Sequence, residues 1–267
     1  MLNAIKTLFR AQPERQRAAI PAGERVYAVG DIHGRRDLFD ALVGAIDADD
    51  RASGAAETTV VLLGDLVDRG PDSAGVIAAA RNWQARRPVR IIAGNHEEML
   101  LQSLDKLDVL RVFLKFGGRE TLLSYPVAAD AVQSASFEQL QQLMARAIPA
   151  EDLEFIAGFE DAVRIGDYLF VHAGIAPGVD LADQQLADLR WIREPFLSHA
   201  QDHGAVVVHG HTITEEVDVR ANRVGIDTGA YFSGRLTALV LEGTGRRLIE
   251  ARDDDDGTIS IHTRSIA

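Results

Sequence analysis

Three short apolar runs early in the chain, VYAV at 26–29, TVVLL at 59–63 and VRIIA at 89–93, are each followed by a glycine and then by polar side chains able to bind metal. No other feature constrains the fold as much. Such runs, bounded by glycine, read as buried strands. Between them Leu38, Leu42, Val43 and Ile46 share one helical face, and Val76, Ile77, Ala80 and Trp83 share another. Alternating strand and helix predicts parallel βαβ units. The polar clusters then fall at the carboxyl ends of the strands, where open α/β sheets bind ligands.

The clusters read GDIHG at 30–34, GDLVDRG at 64–70 and GNHE at 94–97. Two later ones, HAG at 172–174 and HGHT at 209–212, follow the apolar pairs and triplets FV and VVV. Of the 8 histidines, only His199, His203 and His262 lie outside these glycine-flanked phrases. One acid or imidazole at a strand end is ordinarily a cap or a satisfied polar group. Several converging on one edge supply carboxylates, an amide oxygen and imidazoles together. The chain has no cysteine, which excludes disulfides, thiolate metal sites and a cysteine nucleophile. A sulfur-free donor set of this kind suits two divalent ions such as manganese, iron or zinc. Such pairs sit roughly 3.5 to 4 Å apart and clamp a phosphoryl group during in-line attack.

The rest of the chain bounds the organisation. Residues 97–160 are mostly helical in pattern and are expected to form an insertion in a domain spanning 25–267, after an N-terminal segment at 1–24 with an amphipathic piece around Ile5, Leu8 and Phe9. Phe116-Gly117-Gly118-Arg119 breaks the helical stretch and suits a turn or a backbone pressed against a site. The Ala-rich piece at 128–136 reads as a linker. Strands are expected at 168–171, 206–208, 224–226, 236–241, 248–251 and 259–261, and their close spacing predicts a second sheet. The acidic run at 253–256 before Gly257 reads as a solvated hairpin turn. A net charge of -12 weighs against a nucleic-acid partner or an anionic membrane. With no long apolar run and no signal-peptide pattern, the expected location is the cytoplasm.

In order and spacing, GDIHG, GDLVDRG, GNHE, HAG and GHT resemble the phosphoprotein phosphatases of the calcineurin-like metallophosphoesterase superfamily, most closely their short bacterial and phage members, over residues 25–241. The resemblance implies an α/β fold of two facing mixed sheets flanked by helices. It implies that Asp31 and His33 hold one metal, that Asp65 bridges both, and that Asn95, His172 and His211 complete the second. A water shared by the ions would attack phosphorus, with His96 as general acid, Asp68 as its partner, and Arg69 and Arg193 as the phosphate clamp. His209 shares the phrase with His211, and a continued strand would point both rings the same way. The GHT match selects His211. Asp227, in GIDTGAY, reads as a residue holding a turn or orienting a ligand.

The expected activity is phosphomonoester hydrolysis, with phosphoserine or phosphothreonine in proteins as the leading class and phosphotyrosine next. Two alternatives stay open. Enzymes that split diadenosine tetraphosphate symmetrically share most of these motifs, and a phosphate-binding scaffold could keep the fold without the reaction. A nuclease is disfavoured by the charge.

Overall fold

The computed structural model describes residues 17–254 and 256–266. Ile5, Leu8 and Phe9 lie outside them.

The first half builds β1 (Glu24–Val29), α1 (Arg36–Ala52), β2 (Glu57–Leu62), α2 (Ser73–Gln84) and β3 (Val89–Ile91), with the three strands parallel as the alternation predicts. Helices then follow one another: α3 (Asn95–Ser103), α4 (Leu107–Phe113), a π turn at Leu114–Gly118, α5 (Arg119–Ser124), α6 (Ala129–Ser134), α7 (Phe137–Ala147) and α8 (Ala150–Ala157). The remainder comprises β4 (Ala162–Ile165), β5 (Tyr168–Val171), α9 (Leu186–Trp191), β6 (Val206–His209), β7 (Asp218–Val219), β8 (Arg223–Gly225), α10 (Ala230–Ser233), β9 (Arg235–Glu242), β10 (Gly245–Asp253) and β11 (Ile259–Ser265). Among the described residues no helix is long and apolar enough to cross a membrane.

The strands form two mixed sheets, one of 6 strands ordered β11-β10-β9-β1-β2-β3 and one of 5 ordered β4-β5-β6-β8-β7. Alternation along β1 shows how they pack. Tyr27 and Val29 face a core shared with α1, α2 and the helical stretch, whereas Val26 and Ala28 face a second core with Tyr168, Phe170, Val206 and Val208 of the other sheet. The sheets therefore lie face to face. A third, smaller cluster covers the outer side of the second sheet with Leu189 and Phe196.

Three expectations need correction. Strands β5, β6 and β8 do make a second sheet, but β9, β10 and β11 return to extend the first, with β9 antiparallel to β1. Leu236, Ala238 and Val240 on one face and Leu239 and Leu241 on the other suit an interior strand of either sheet. Pairing partner is a long-range property that local alternation does not carry. The piece at 128–136 is no linker: it holds α6, anchored by buried Val132, and the Ser136 cap of α7. Its alanines favour helix and need only one apolar anchor. Finally, helix ends at Ala157, and Ala162–Ile165, where no strand is expected, form the edge strand β4.

Of the acidic run at 253–256, Asp255 lies outside the described residues; around it Asp254 N–H donates to the Thr258 carbonyl at 2.8 Å and Gly257 N–H to the Asp254 carbonyl at 2.9 Å, joining β10 to β11. At the far end of α2, Trp83 is buried and meets Phe39 edge-on at 5.9 Å between ring centroids. Trp83→Ala should lower the unfolding free energy by about 3 to 5 kcal/mol, read by urea denaturation; a loss below about 1 kcal/mol would mean that this helix–sheet core closes over the cavity.

Candidate metal centre

The loops leaving β1, β2, β3, β5 and β6 meet at one point. Among the described residues, the non-glycine positions with positive φ are His33 (45°), Asp65 (50°), Asp68 (74°), Arg69 (69°) and His211 (63°). All come from the polar clusters. Each such conformation costs on the order of 1 to 3 kcal/mol and persists only where the surroundings over-determine it. Left-handed backbone is what turns each side chain back over the strand ends.

Asp65 is the centre of the arrangement. Its Oδ2 lies 3.3 Å from His172 Nε2, 3.6 Å from His33 Nε2 and 3.9 Å from His96 Nε2. Two groups of potential ligand atoms, each within 4.8 Å of one another, share this residue: His33, Asp65 and His96, and Asp65, His172 and His211. Burial pushes the Asp65 carboxyl up, but the charges of His172 and His96 outweigh it and hold the group well below the usual carboxylate range.

The imidazoles are oriented from behind. His33 Nδ1 donates to the Val67 carbonyl at 2.8 Å and His172 Nδ1 to the Leu63 carbonyl at 2.8 Å, so each Nε2 points into the cluster and in the neutral ring offers its lone pair there. His172 Nε2 also sits 3.0 Å from Asn95 Oδ1, itself an acceptor. His211 Nε2 is buried without a hydrogen-bond partner, and burial, followed by the neighbouring His172, lowers its pKa to about 3. Asp65 Oδ2, Asn95 Oδ1 and the Nε2 atoms of neutral imidazoles gathered this closely are a receptor for cations, and these nitrogen and oxygen atoms fit divalent ions.

The Arg69 guanidinium already acts as a cation on this surface, with Nη1 2.9 Å from His33 Nε2 and Nη2 3.0 Å from His96 Nε2. Tyr231 backs it, with the guanidinium carbon 4.9 Å from the ring centroid. Because arginine only donates, His96 accepts at Nε2 and carries its proton on Nδ1, 2.5 Å from Asp68 Oδ2. Burial pulls the His96 pKa down, but Asp65 and Asp68 together raise it above the ordinary value.

Not every expected residue joins the two groups. Asp31 is buried beside them, but its oxygens accept the His211 N–H at 3.0 and 3.2 Å. Burial first, then the charges of Asp227 and Asp65, push its carboxyl well above the usual range. Asp227 accepts the Gly229 N–H at 2.9 Å and so holds a turn. Arg193 is exposed, and its charge acts on His211. His209 is not brought in: the strand ends at it, and its ring packs edge-on against Phe196 at 5.1 Å, with burial lowering its pKa to about 4.

Glu97 is a residue whose importance the motif hinted at without explaining. Its Oε2 accepts the N–H groups of Gly94 and Asp65, each at 2.9 Å, and its Oε1 those of Leu66 at 2.8 Å and Val67 at 3.3 Å. One buried carboxylate thus ties the start of α3 to the turn that carries Asp65. Glu97→Gln would aim an amide N–H at backbone donors, and chemical denaturation of the metal-free protein should show a loss of about 1 to 3 kcal/mol. Unchanged stability would mean that the turn holds itself.

Residues 24–234 match the model of the calcineurin-like phosphoesterase family. The chain is 29% identical over 239 residues to serine/threonine-protein phosphatase 1 of Salmonella typhimurium, covering 86% of this chain and 98% of that protein. It is 26% identical over 273 residues to a symmetrical bis(5'-nucleosyl)-tetraphosphatase of Nitrosospira multiformis, covering 81% and 92%. In fold it is similar to the crystal structure of a putative diadenosine tetraphosphatase, with a TM-score of 0.59 at 21% identity over 93% of this chain and 98% of that one. The two facing sheets with their flanking helices are the metallophosphoesterase fold, and the chain belongs to the calcineurin-like phosphoesterase family.

Proposed function

We propose that this protein is a metal-dependent phosphomonoesterase whose leading substrates are phosphoserine and phosphothreonine in proteins. One observation carries the reading: a single carboxylate, Asp65, is shared by two cation-receptive groups, with the Asp68–His96 pair and the Arg69 guanidinium at the same point. In this assignment Asp31 and His33 would hold one divalent ion, Asn95, His172 and His211 the other, and Asp65 would serve both. Manganese is the proposed metal, with iron or zinc suited to the same donors. Bound there, the two ions would supply an activated water and neutralise phosphoryl charge.

The chain's own residues account for the rest. With His33 Nε2 engaged by a divalent ion and His96 protonated at Nε2, neither nitrogen would accept from Arg69. The freed guanidinium can pair with phosphoryl oxygens, beside Arg193. His96 then presents Nε2–H to the leaving oxygen, while Asp68 keeps Nδ1 hydrogen-bonded and the ring oriented. Protein substrates are favoured over dinucleotides by the relative from Salmonella, which the chain spans almost entirely. The relative from Nitrosospira keeps symmetrical diadenosine tetraphosphate hydrolysis as the second reading.

Metal-stripped protein refilled with manganese should hydrolyse p-nitrophenyl phosphate and phosphopeptides faster than diadenosine tetraphosphate. Preference for the dinucleotide would replace the leading substrate, and no turnover with manganese, iron or zinc would overturn the catalytic reading. His96→Asn should cut kcat by about 10² to 10⁴ with metal content intact, whereas Asp65→Asn should lose metal and activity together, as measured by elemental analysis alongside kinetics.

A further inference from the structure

The helical stretch reaches the acid pair through one hydroxyl. Thr121, near the start of α5 and 53 positions along the chain from Asp68, donates from Oγ1 to Asp68 Oδ1 at 2.6 Å and accepts the Asp68 backbone N–H at 2.8 Å. Thr121 has a single hydroxyl proton, and Asp68 takes it. In the 3.0 Å contact between the two hydroxyls Ser73 is therefore the donor, while Ser73 Oγ also accepts the Asp68 N–H at 3.0 Å. Two donors therefore converge on Asp68: Ser73 donates to Thr121 and Thr121 to Asp68 Oδ1, while His96 Nδ1–H donates to Asp68 Oδ2. All four residues are buried.

The same segment also grips the next residue of the turn. Arg69 N–H donates to the Gly117 carbonyl at 3.2 Å. Gly117 has φ 111°, and a Cβ there would come within 2.6 Å of Arg69 N, so only glycine allows the approach. Asp68 and Arg69, both in left-handed backbone, are thus held from one side by Gly117 and Thr121.

We infer that Thr121 is a positioning residue for proton donation to the leaving group, aligning the Asp68 carboxylate on His96 and tying that step to the placement of the helical segment. The inference rests on the reading of His96 as general acid. The torsion that turns a carboxylate about its own axis is broad and soft, so with Oδ1 unpaired no other side-chain hydrogen bond among the described residues fixes the plane in which Oδ2 meets His96. An isosteric valine at 121 keeps the packing and removes only the hydroxyl.

The test compares manganese-loaded wild type, Thr121→Val, Thr121→Ser, Ser73→Ala and His96→Asn on two esters, phenyl phosphate with a poor leaving group and dinitrophenyl phosphate with a good one. An acid matters for the first and hardly for the second. Thr121→Val should lower kcat on phenyl phosphate about tenfold with KM unchanged, a fraction of the full acid contribution, and leave dinitrophenyl phosphate within about twofold. Thr121→Ser should restore the rate, Ser73→Ala should show the same selectivity more weakly, and elemental analysis should find equal metal in all. Equal losses on both esters, or a loss that follows metal content, would overturn the inference; should Thr121→Val not fold, the selectivity of Ser73→Ala decides in its place. If His96→Asn shows no ester selectivity, the acid reading itself fails and the inference with it, an outcome distinct from a selective His96→Asn beside a non-selective Thr121→Val.

Discussion

Asp65 stands in left-handed backbone with its carboxylate among three imidazoles, and the Glu97 carboxylate, by accepting the N–H groups of Gly94, Asp65, Leu66 and Val67, makes that position tenable. Four buried donors aimed at one acid group would each be costly to leave unpaired. Satisfied together, they weld the turn after β2 to the start of α3, so the two loops move as one body. The Asp65 carboxylate completes the weld from its own side by accepting the His96 N–H at 3.0 Å. Everything else at the centre is placed relative to this knot.

Electrostatics then follows from geometry. Backbone carbonyls of Val67 and Leu63 accept from Nδ1 of His33 and His172, which turns both Nε2 atoms inward and, in the neutral rings, leaves their lone pairs facing the centre. An interior made of acceptors is unstable alone and attracts positive charge. In this structure Arg69 supplies some of it, bonded to His33 and His96 and backed by Tyr231. One guanidinium thus serves two of the inward-facing imidazoles at once.

The helical stretch contributes to the centre as well as to the core. Phe113 and Leu122 pack into the main core, and between them the Gly117 carbonyl and the Thr121 hydroxyl reach the GDLVDRG turn. A segment that packs and also hydrogen-bonds this turn ties the position of the core helices to that of Asp68 and Arg69. The hairpins β9 to β11 do comparable work on the other flank: with β9 beside β1, the short helix α10 that precedes it brings Tyr231 next to Arg69.

The sequence by itself determined the parallel β1 to β3 core, the strand-end location of the site and the residues that meet there, because alternation, glycine placement and side-chain chemistry are all local. Asp65, His33, His96, His172 and His211 were legible as a set, and the structure brings them within a few ångströms of one another. Only the tertiary structure decided what depends on distant pairing: that β9 to β11 rejoin the first sheet, that the residues at 129–134 form a packed helix, and that His209 turns to Phe196. Thr121 is the clearest instance. Nothing about a threonine in a short helix signals a contact with an aspartate 53 positions away, since that contact exists only once two separately folded segments close on one another.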